Sequence, residues 1–418
     1  MARRVVVLGG GFAGLESAFL LRHRLHDDVH LTLVSDDNTF LFRPNTIYVP
    51  FGADPDQFRV PLREPCDRQG IELVHARAVG IDVAARRVHL SSSSNLSFDD
   101  LIVATGAAMR PSEIPGLADF GNPIWTPHDM QQLGRSLTET IARARAGQVS
   151  RILFLIPPNN KCAGPLYELV FMVDTHLRRE GVREAIELVW TTCEHAYIQA
   201  FGPKIDEVVE GEFQERRIVG YRDWEVVEVL EDRVRYRNGE EIPYDLLVAF
   251  PPYVAAVDFD GLPTDDRGFI RTESPSRSVL GVEGIYAPGD AGDFPVKQAF
   301  LAFLQADAVA EDIIGAVRGK PPRIAFDPVS MCVMEQFDKA VFAQVPLRLT
   351  GDPQRPVEVR PDAGSDYRVG VSPAWRLGKK MLGFYLPMRF RAGEPFHAGS
   401  AWTMMELGLK GMSGVLSH

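Results

Sequence analysis

The chain is predicted to be an α/β protein built on two parallel sheets. Three observations predict it: a run of β-favouring residues that empties into spaced glycines at the very start, a second hydrophobic strand followed by a helix after residue 150, and a further small-residue turn ending in Asp290. The first and third fit one unit, and the second fits another unit inserted into it.

The opening stretch Val5 to Gly14, VVVLGGGFAG, reads as a buried strand, a tight turn and the start of a helix. The glycines have separate tasks. Gly9 makes the turn, Gly11 lets a pyrophosphate approach the backbone, and Gly14 lets helix and strand pack closely. Gly-x-Gly-x-x-Gly alone is a weak pattern, but its frame of strand and helix points to a dinucleotide. Val29 to Ser35 is the next parallel strand, and its end faces the adenosine ribose in such a fold. Ser35, Asp36 and Asp37 stand there, either as ribose contacts or as solvated loop residues.

Thr39 to Pro50, around Arg43 and Pro44, gives no clean helix signal and is read as a cofactor-covering loop or a packed structural loop. A short helix is placed within 61–70, and short strands between Ile71 and Val88. Asp99 to Gly106 is a buried strand ending in a small-residue turn, where Thr105 and Gly106 leave room for a cofactor against the backbone.

Pro111, Pro115 and Pro123 mark a crossing. His128 to Ala146 is expected to be helical, and Arg151 to Ile156 to open a second α/β unit. The following turn, Pro157 to Pro165, carries two prolines where a pyrophosphate-binding turn needs glycines and N–H donors, which disfavours ordinary nicotinamide dinucleotide binding. A helix from Leu166 to Arg178 and strands at Ile186 to Thr192, Trp224 to Leu230, Arg233 to Arg237 and Leu246 to Phe250 follow. The expected division is 1–112 and 241–320 for the first unit, 113–240 for the insert, and 321–418 for a C-terminal region. Asp290 precedes a helix placed from Val296 to Ile314 and is suited to accept hydrogen bonds from a ribityl chain, a plain turn or helix-cap role being the alternative. Lys297 and Gln298 offer a second contact, with a flavin ring.

Composition bounds the function. The length of 418 residues implies two or three domains, and 45% hydrophobic residues exclude extensive disorder. A formal charge of -11 argues against nucleic-acid binding. There is no 18-residue uncharged apolar run and no secretory pattern, so the default expectation is a cytoplasmic protein without a spanning helix. The four cysteines, Cys66, Cys162, Cys193 and Cys332, are too sparse for a disulfide scaffold and lack zinc-ligand spacing, so no metal is expected.

The set Gly9-x-Gly11-x-x-Gly14, Ala104-Thr105-Gly106 and Ala287-Pro288-Gly289-Asp290 resembles the flavoproteins with two dinucleotide-binding domains, in family order over about the first 315 residues. The match narrows to the sulfide:quinone oxidoreductases. Leu33-Val34-Ser35, the aromatic segment Phe40 to Asn45, Cys162-Ala-Gly164-Pro165-Leu-Tyr167-Glu168 and Met331-Cys332-Val-Met resemble their corresponding segments. The resemblance implies two Rossmann-like domains of the flavoprotein disulfide reductase type, FAD as cofactor, sulfide and quinone as partners, and Cys162 with Cys332 as a redox pair. Glu168 is a candidate proton acceptor. Cys162 at a helix entrance, beside Lys161, is expected to have a stabilised thiolate. Two departures stand out: Ile124 to His128 lacks an accessory cysteine, and Ala200 replaces a histidine, with His128 and His195 as candidate substitutes.

The chain end adds a partly independent observation. Trp375, Met381, Leu382, Phe384, Tyr385, Met388 and Phe390 alternate with basic residues, and Ala401 to Leu416 presents Trp402, Met405, Leu409 and Met412 at helical spacing. Amphipathic helices of this kind lie on a membrane surface or cover a core. With the resemblance, the expectation is peripheral attachment at the cytoplasmic face of a membrane, with a homo-oligomer open. A type II NADH:quinone reductase and a non-catalytic FAD-bound redox sensor or scaffold are the alternatives.

Overall fold

A computed structural model describes residues 2–417. The first sheet has five parallel strands in the order Ile285–Tyr286, Asp100–Val103, Arg3–Leu8, Val29–Ser35 and Glu72–His75. Its central strand carries Val5, Val6, Val7 and Leu8, all buried, which is the near-continuous apolar pattern of a strand covered on both faces. The helices Phe12–Leu25 and Ala299–Arg318 pack together over one face, through Ala18, Leu21, Ala306 and Val309.

The second sheet is also parallel, in the order Asn122–Pro123, Leu246–Ala249, Ser150–Ile156, Ile186–Thr192 and Val219–Tyr221. Leu246–Ala249 pairs with Ser150–Ile156, so this sheet reaches past residue 240, where the sequence was divided. The chain crosses back only at Tyr253–Ala255, which pairs antiparallel with Ala107–Met109. The expected helices at 128–146, 166–178 and 296–314 are Pro127–Arg145, Gly164–Arg179 and Ala299–Arg318. Thr126 and Asp129 form a reciprocal cap at the start of the first of these.

The C-terminal region contains a sheet that the sequence reading did not place. Val329–Glu335 pairs antiparallel with Ala340–Leu349, which also pairs with Arg368–Ser372 and Val357–Val359. Two helices, Pro373–Ala392 and Ser400–Leu416, follow. Trp375 is fully buried and stacks on Phe342 with ring centroids 4.0 Å apart. Pro387 lies inside the first of the two helices, so one backbone donor is missing there.

Candidate functional site

A cavity of about 1140 Å³ runs between the C-terminal ends of the two parallel sheets, where ligands of open α/β folds bind. Its volume exceeds the roughly 300–1,000 Å³ of ordinary small-molecule pockets, so a large cofactor fits beside further space. Gly9, Gly11, Ser35, Asp36, Arg43, Thr105, Gly106, Cys162, Glu168, Asp290, Lys297, Gln298 and Cys332 all lie on its wall.

The glycine turn shows three different constraints. Gly9 has φ +109°, and a Cβ there would fall 2.3 Å from the Ala104 carbonyl oxygen. A Cβ on Gly14 would fall 1.9 Å from the Gly9 carbonyl oxygen, so the helix can approach the strand only without a side chain. Around Gly11 nothing lies within 4 Å of the same position, which faces the cavity. This open backbone at a helix start is a cradle suited to a pyrophosphate.

The polar groups around the cradle are held in place by short-range bonds. The Ser35 hydroxyl donates to the Asp37 carbonyl at 2.8 Å, and Asp36 is ion-paired with Arg77 at 3.1 Å. Arg43 lies 4.2 Å from the Trp125 ring centre and donates to the Trp125 carbonyl at 2.8 Å. Asp290 sits in the turn Gly289–Ala291, and burial pushes its pKa up against the pull of Lys297 and Arg43. Lys297 is buried, and its ammonium donates to the Gly292 carbonyl and lies 3.9 Å from the Phe269 ring centre. Burial lowers its pKa to about 7. Gln298 donates to the Met331 carbonyl at 3.0 Å and accepts from the Ser330 hydroxyl at 2.7 Å. It therefore ties the helix start to the strand that carries Cys332.

The fold brings Cys162 and Cys332, 170 positions apart, to one stretch of cavity wall. Cys162 lies just before the helix Gly164–Arg179, and its N–H donates to the Asn160 side chain at 2.9 Å. Cys332 lies on Val329–Glu335, with its sulfur 3.7 Å from the Cβ position of Gly164. Both thiols are free. The expected stabilised thiolate at Cys162 is not found: burial, with Cys332 and Asp290 adding, pushes this thiol up. Lys161 does not offset this: it is not among the charges that act on the Cys162 sulfur, and burial lowers its own pKa. Burial also pushes Cys332 up, to about 12.

Glu168 is buried rather than on a helix surface. Its carboxylate is bonded to the Lys379 ammonium and accepts from the Glu335 N–H at 2.7 Å. Burial nevertheless raises its pKa to about 7. Lys379 also donates to the Val333 carbonyl at 3.1 Å, so the pair sits next to Cys332. Sequence reading missed Lys379 because it belongs to the helix Pro373–Ala392, some two hundred residues downstream, where it looked like one basic residue among several. The two candidate substitute histidines do not reach the cavity: His128 is exposed in the first turn of its helix, and His195 is exposed and paired with Asp223. Cys66 is buried within Arg63–Arg68, away from the wall, whereas Cys193 does lie on it, at the end of Ile186–Thr192.

The C-terminal helices correct one further expectation. Trp402, Met405, Leu409 and Met412 are half-buried against the protein. The exposed apolar residues are Leu377, Met381, Phe384 and Met388 on one helix and Met404, Leu407 and Val415 on the other. Among the described residues no helix is long and apolar enough to cross a membrane.

Comparisons with known proteins agree with this geometry. The pyridine nucleotide-disulphide oxidoreductase family matches residues 3–148. The chain is 26% identical to the sulfide-quinone reductase of Aquifex aeolicus over 365 residues, covering 82% of this chain and 83% of that protein. It is 25% identical to the demethylphylloquinone reductase of Synechocystis over 374 residues, covering 83% and 88%. The crystal structure of the Aquifex aeolicus sulfide:quinone oxidoreductase superposes with a TM-score of 0.84 at 22% identity, covering 98% of this chain and 96% of that one. The protein is an FAD-dependent oxidoreductase, and the cradle at Gly9 to Gly14 with Asp290 opposite fits that cofactor. On these grounds the chain shares the fold of the sulfide:quinone oxidoreductase crystal structure, and its residues 3–148 match the pyridine nucleotide-disulphide oxidoreductase family.

Proposed function

We propose that the protein oxidises sulfide and delivers the electron pair to a membrane quinone, with Cys162 and Cys332 as its redox pair. The observation that carries this reading is the meeting of the two cysteines on the wall of a cavity that also holds the glycine cradle. The similarity to a sulfide-quinone reductase over most of the chain supports it.

In this reading Gly9, Gly11, Gly14, Ser35, Asp36, Thr105, Gly106 and Asp290 hold FAD, while Arg43, Lys297 and Gln298 fix the walls around it. FAD, when bound, supplies a two-electron acceptor between the cysteines and the quinone. The chain's own chemistry begins from a Cys162–Cys332 disulfide. Hydrosulfide attacks the Cys162 sulfur; a new S–S bond forms, the old one breaks, and Cys332 departs with the electron pair as thiolate. The charge on that sulfur develops between the Glu168 carboxylate, which opposes it, and the Lys379 ammonium, which favours it, so a proton on Glu168 would ease the step. Glu168, with a pKa of about 7, can hold or release a proton there at neutral pH. The high pKa of the Cys162 thiol is no obstacle to this order, since the attacking sulfur comes from solution, whereas the high pKa of Cys332 means that its departure needs help from the groups beside it.

The exposed apolar residues of the last two helices, with Lys380, Arg391 and Lys410 also exposed, are assigned to a membrane surface from which quinone enters. The division into an interrupted first unit, an inserted second unit and a C-terminal region is proposed to separate cofactor binding, cysteine placement and quinone access.

Anaerobic mixing with sulfide should bleach the flavin absorption, and a short-chain quinone should restore it. An unchanged spectrum with sulfide rejects the proposal. The similarity to an NADH dehydrogenase-like protein of Bacillus subtilis, 22% identical over 316 residues, favours one other reading, an NADH:quinone reductase. Bleaching by NADH and not by sulfide would establish that reading instead. Pro157 and Pro158, where a nicotinamide site needs donor N–H groups, weigh against it.

A further inference from the structure

We infer that Glu16, Asp307 and His397 form a site for one divalent first-row metal ion that clips the C-terminal helices to the first helix of the fold. The three residues come from distant parts of the chain. Glu16 lies in Phe12–Leu25, Asp307 in Ala299–Arg318, and His397 in the connection between the last two helices. Their ligand atoms all lie within 4.8 Å of one another.

The surroundings make this a built site. Glu16 is fully buried and Asp307 is 5% exposed. The Glu16 carboxylate accepts from the Phe396 N–H at 2.6 Å and the His397 N–H at 3.2 Å, which fixes its orientation while each oxygen keeps a further lone pair. His397 Nδ1 faces Asp307 Oδ2 at 2.5 Å. The second Asp307 oxygen is buried with no hydrogen-bond partner at all, an expensive arrangement for a carboxylate unless a cation completes it.

A metal ion and a shared proton are the two ways to complete this cluster. Among the described residues neither carboxylate forms an ion pair with Lys or Arg, and His397 is the one ion-pair partner of Asp307. A protonated His397 neutralises one carboxylate only and leaves Asp307 Oδ1 without a partner. A divalent ion neutralises both carboxylates and lets the imidazole stay neutral. Two carboxylates and one imidazole suit Zn²⁺, Mn²⁺ or Fe²⁺, with water completing the shell. The rings of Phe300, Phe303 and Trp402 stand 5.7, 5.8 and 4.7 Å from that of His397 and shield the site from solvent. Phe396 and Trp402 also line the large cavity, so the clip would set the wall beside the last helix.

The test uses the flavin-loaded full chain, stripped with chelator and dialysed against ZnCl₂ or MnCl₂, with bound metal measured by mass spectrometry. One ion per chain is expected, retained in Cys162→Ser and lost in Asp307→Asn and His397→Ala. X-ray absorption of the zinc form of the unaltered protein should show a nitrogen and oxygen shell near ~2.0–2.1 Å, without sulfur near ~2.3 Å. This second measurement decides the matter if a variant fails to fold. Absence of bound metal, a sulfur shell, or retention of the ion in both folded cluster variants overturns the inference and leaves a proton-sharing cluster.

Discussion

Substituting the three glycines of the first turn one at a time separates folding from cofactor binding. At Gly11 the backbone is extended, φ -92° and ψ -166°, which any residue adopts, and no protein atom lies within 4 Å of the new Cβ. Gly11→Ala should therefore change the unfolding midpoint by no more than a surface substitution does, within about 0.5 kcal/mol. The methyl instead enters the space along which the pyrophosphate meets the backbone. Loss of one charged hydrogen bond there, about 1.5–3 kcal/mol, corresponds to roughly 10- to 150-fold weaker FAD binding. At Gly14 the same methyl would sit 1.9 Å from the Gly9 carbonyl oxygen, so helix and strand must separate. That overpacking should cost about 1–3 kcal/mol or more of stability. Urea unfolding at saturating FAD measures the first quantity, and recovery of flavin fluorescence on dilution measures the second. The reasoning is refuted if Gly11→Ala destabilises as much as Gly14→Ala, or if Gly11→Val binds FAD as tightly as the parent.

Cys162→Ser and Cys332→Ser should each abolish rapid flavin bleaching by sulfide at equal FAD content, while Cys66→Ser should not; stopped-flow absorbance decides, and near-normal turnover in either of the first two rejects the pair. Glu168 ionises at about 7 in the fold against an ordinary 4.5, so the folded state holds the extra proton between those values. Its own contribution to stability is therefore full below about 4.5 and is lost as pH rises towards 7, by about 3 kcal/mol at about 1.4 kcal/mol per unit; the difference between the parent and Glu168→Gln in urea titrations should show this slope. Asp174 is fully buried and accepts from Arg178 at 2.8 Å, Arg183 at 2.6 Å and Arg216 at 3.0 Å, so Asp174→Ala should cost about 3–5 kcal/mol in urea unfolding. Phe384→Glu, at a residue 72% exposed, should reduce co-sedimentation with anionic lipid vesicles without lowering FAD content, and unchanged sedimentation would remove this helix from the membrane assignment.

The parallel sheets were legible because their strands advertise themselves. Ile152 to Ile156 and Leu188 to Trp190 are unbroken apolar runs buried on both faces, and short runs of that kind bounded by turns have few other uses. The antiparallel sheet beyond residue 328 was not legible. Met331-Cys332-Val333-Met334 attracted attention through its cysteine, while its partner Ala340–Leu349 contains Gln344 and Pro346, which blur the alternation. Only pairing across the hairpin, Cys332 opposite Ala343, makes the strand evident. The C-terminal helices misled in another way. A stripe at helical spacing reveals that one face is apolar, not what it meets, and the stripe from Trp402 to Met412 meets the protein.

The site was legible in proportion to how local its chemistry is. Gly9, Gly11 and Gly14 act through their own backbone, so spacing alone locates them. The properties of Cys162 depend instead on what the fold packs around it. A helix start and a neighbouring lysine argue for a low thiol pKa only when both face the sulfur and solvent remains near. Here Lys161 is not among the charges that act on the Cys162 sulfur, desolvation dominates, and Cys332 and Asp290 add to it, so the free thiol is pushed up. Under the proposed cycle this has a mechanistic consequence. Two thiols with raised pKa are poor nucleophiles at neutral pH, so the reduced pair is a weak starting point; the same rise makes Cys332 a reluctant leaving group, so its departure needs charge stabilisation or a proton from nearby. A dissolved hydrosulfide then supplies the nucleophile, and the charge it displaces onto Cys332 falls where Lys379 can meet it. The cation that acts on a cysteine sulfur here is thus the distant Lys379 brought in by the fold, opposed by Glu168, and not Lys161 adjacent in sequence.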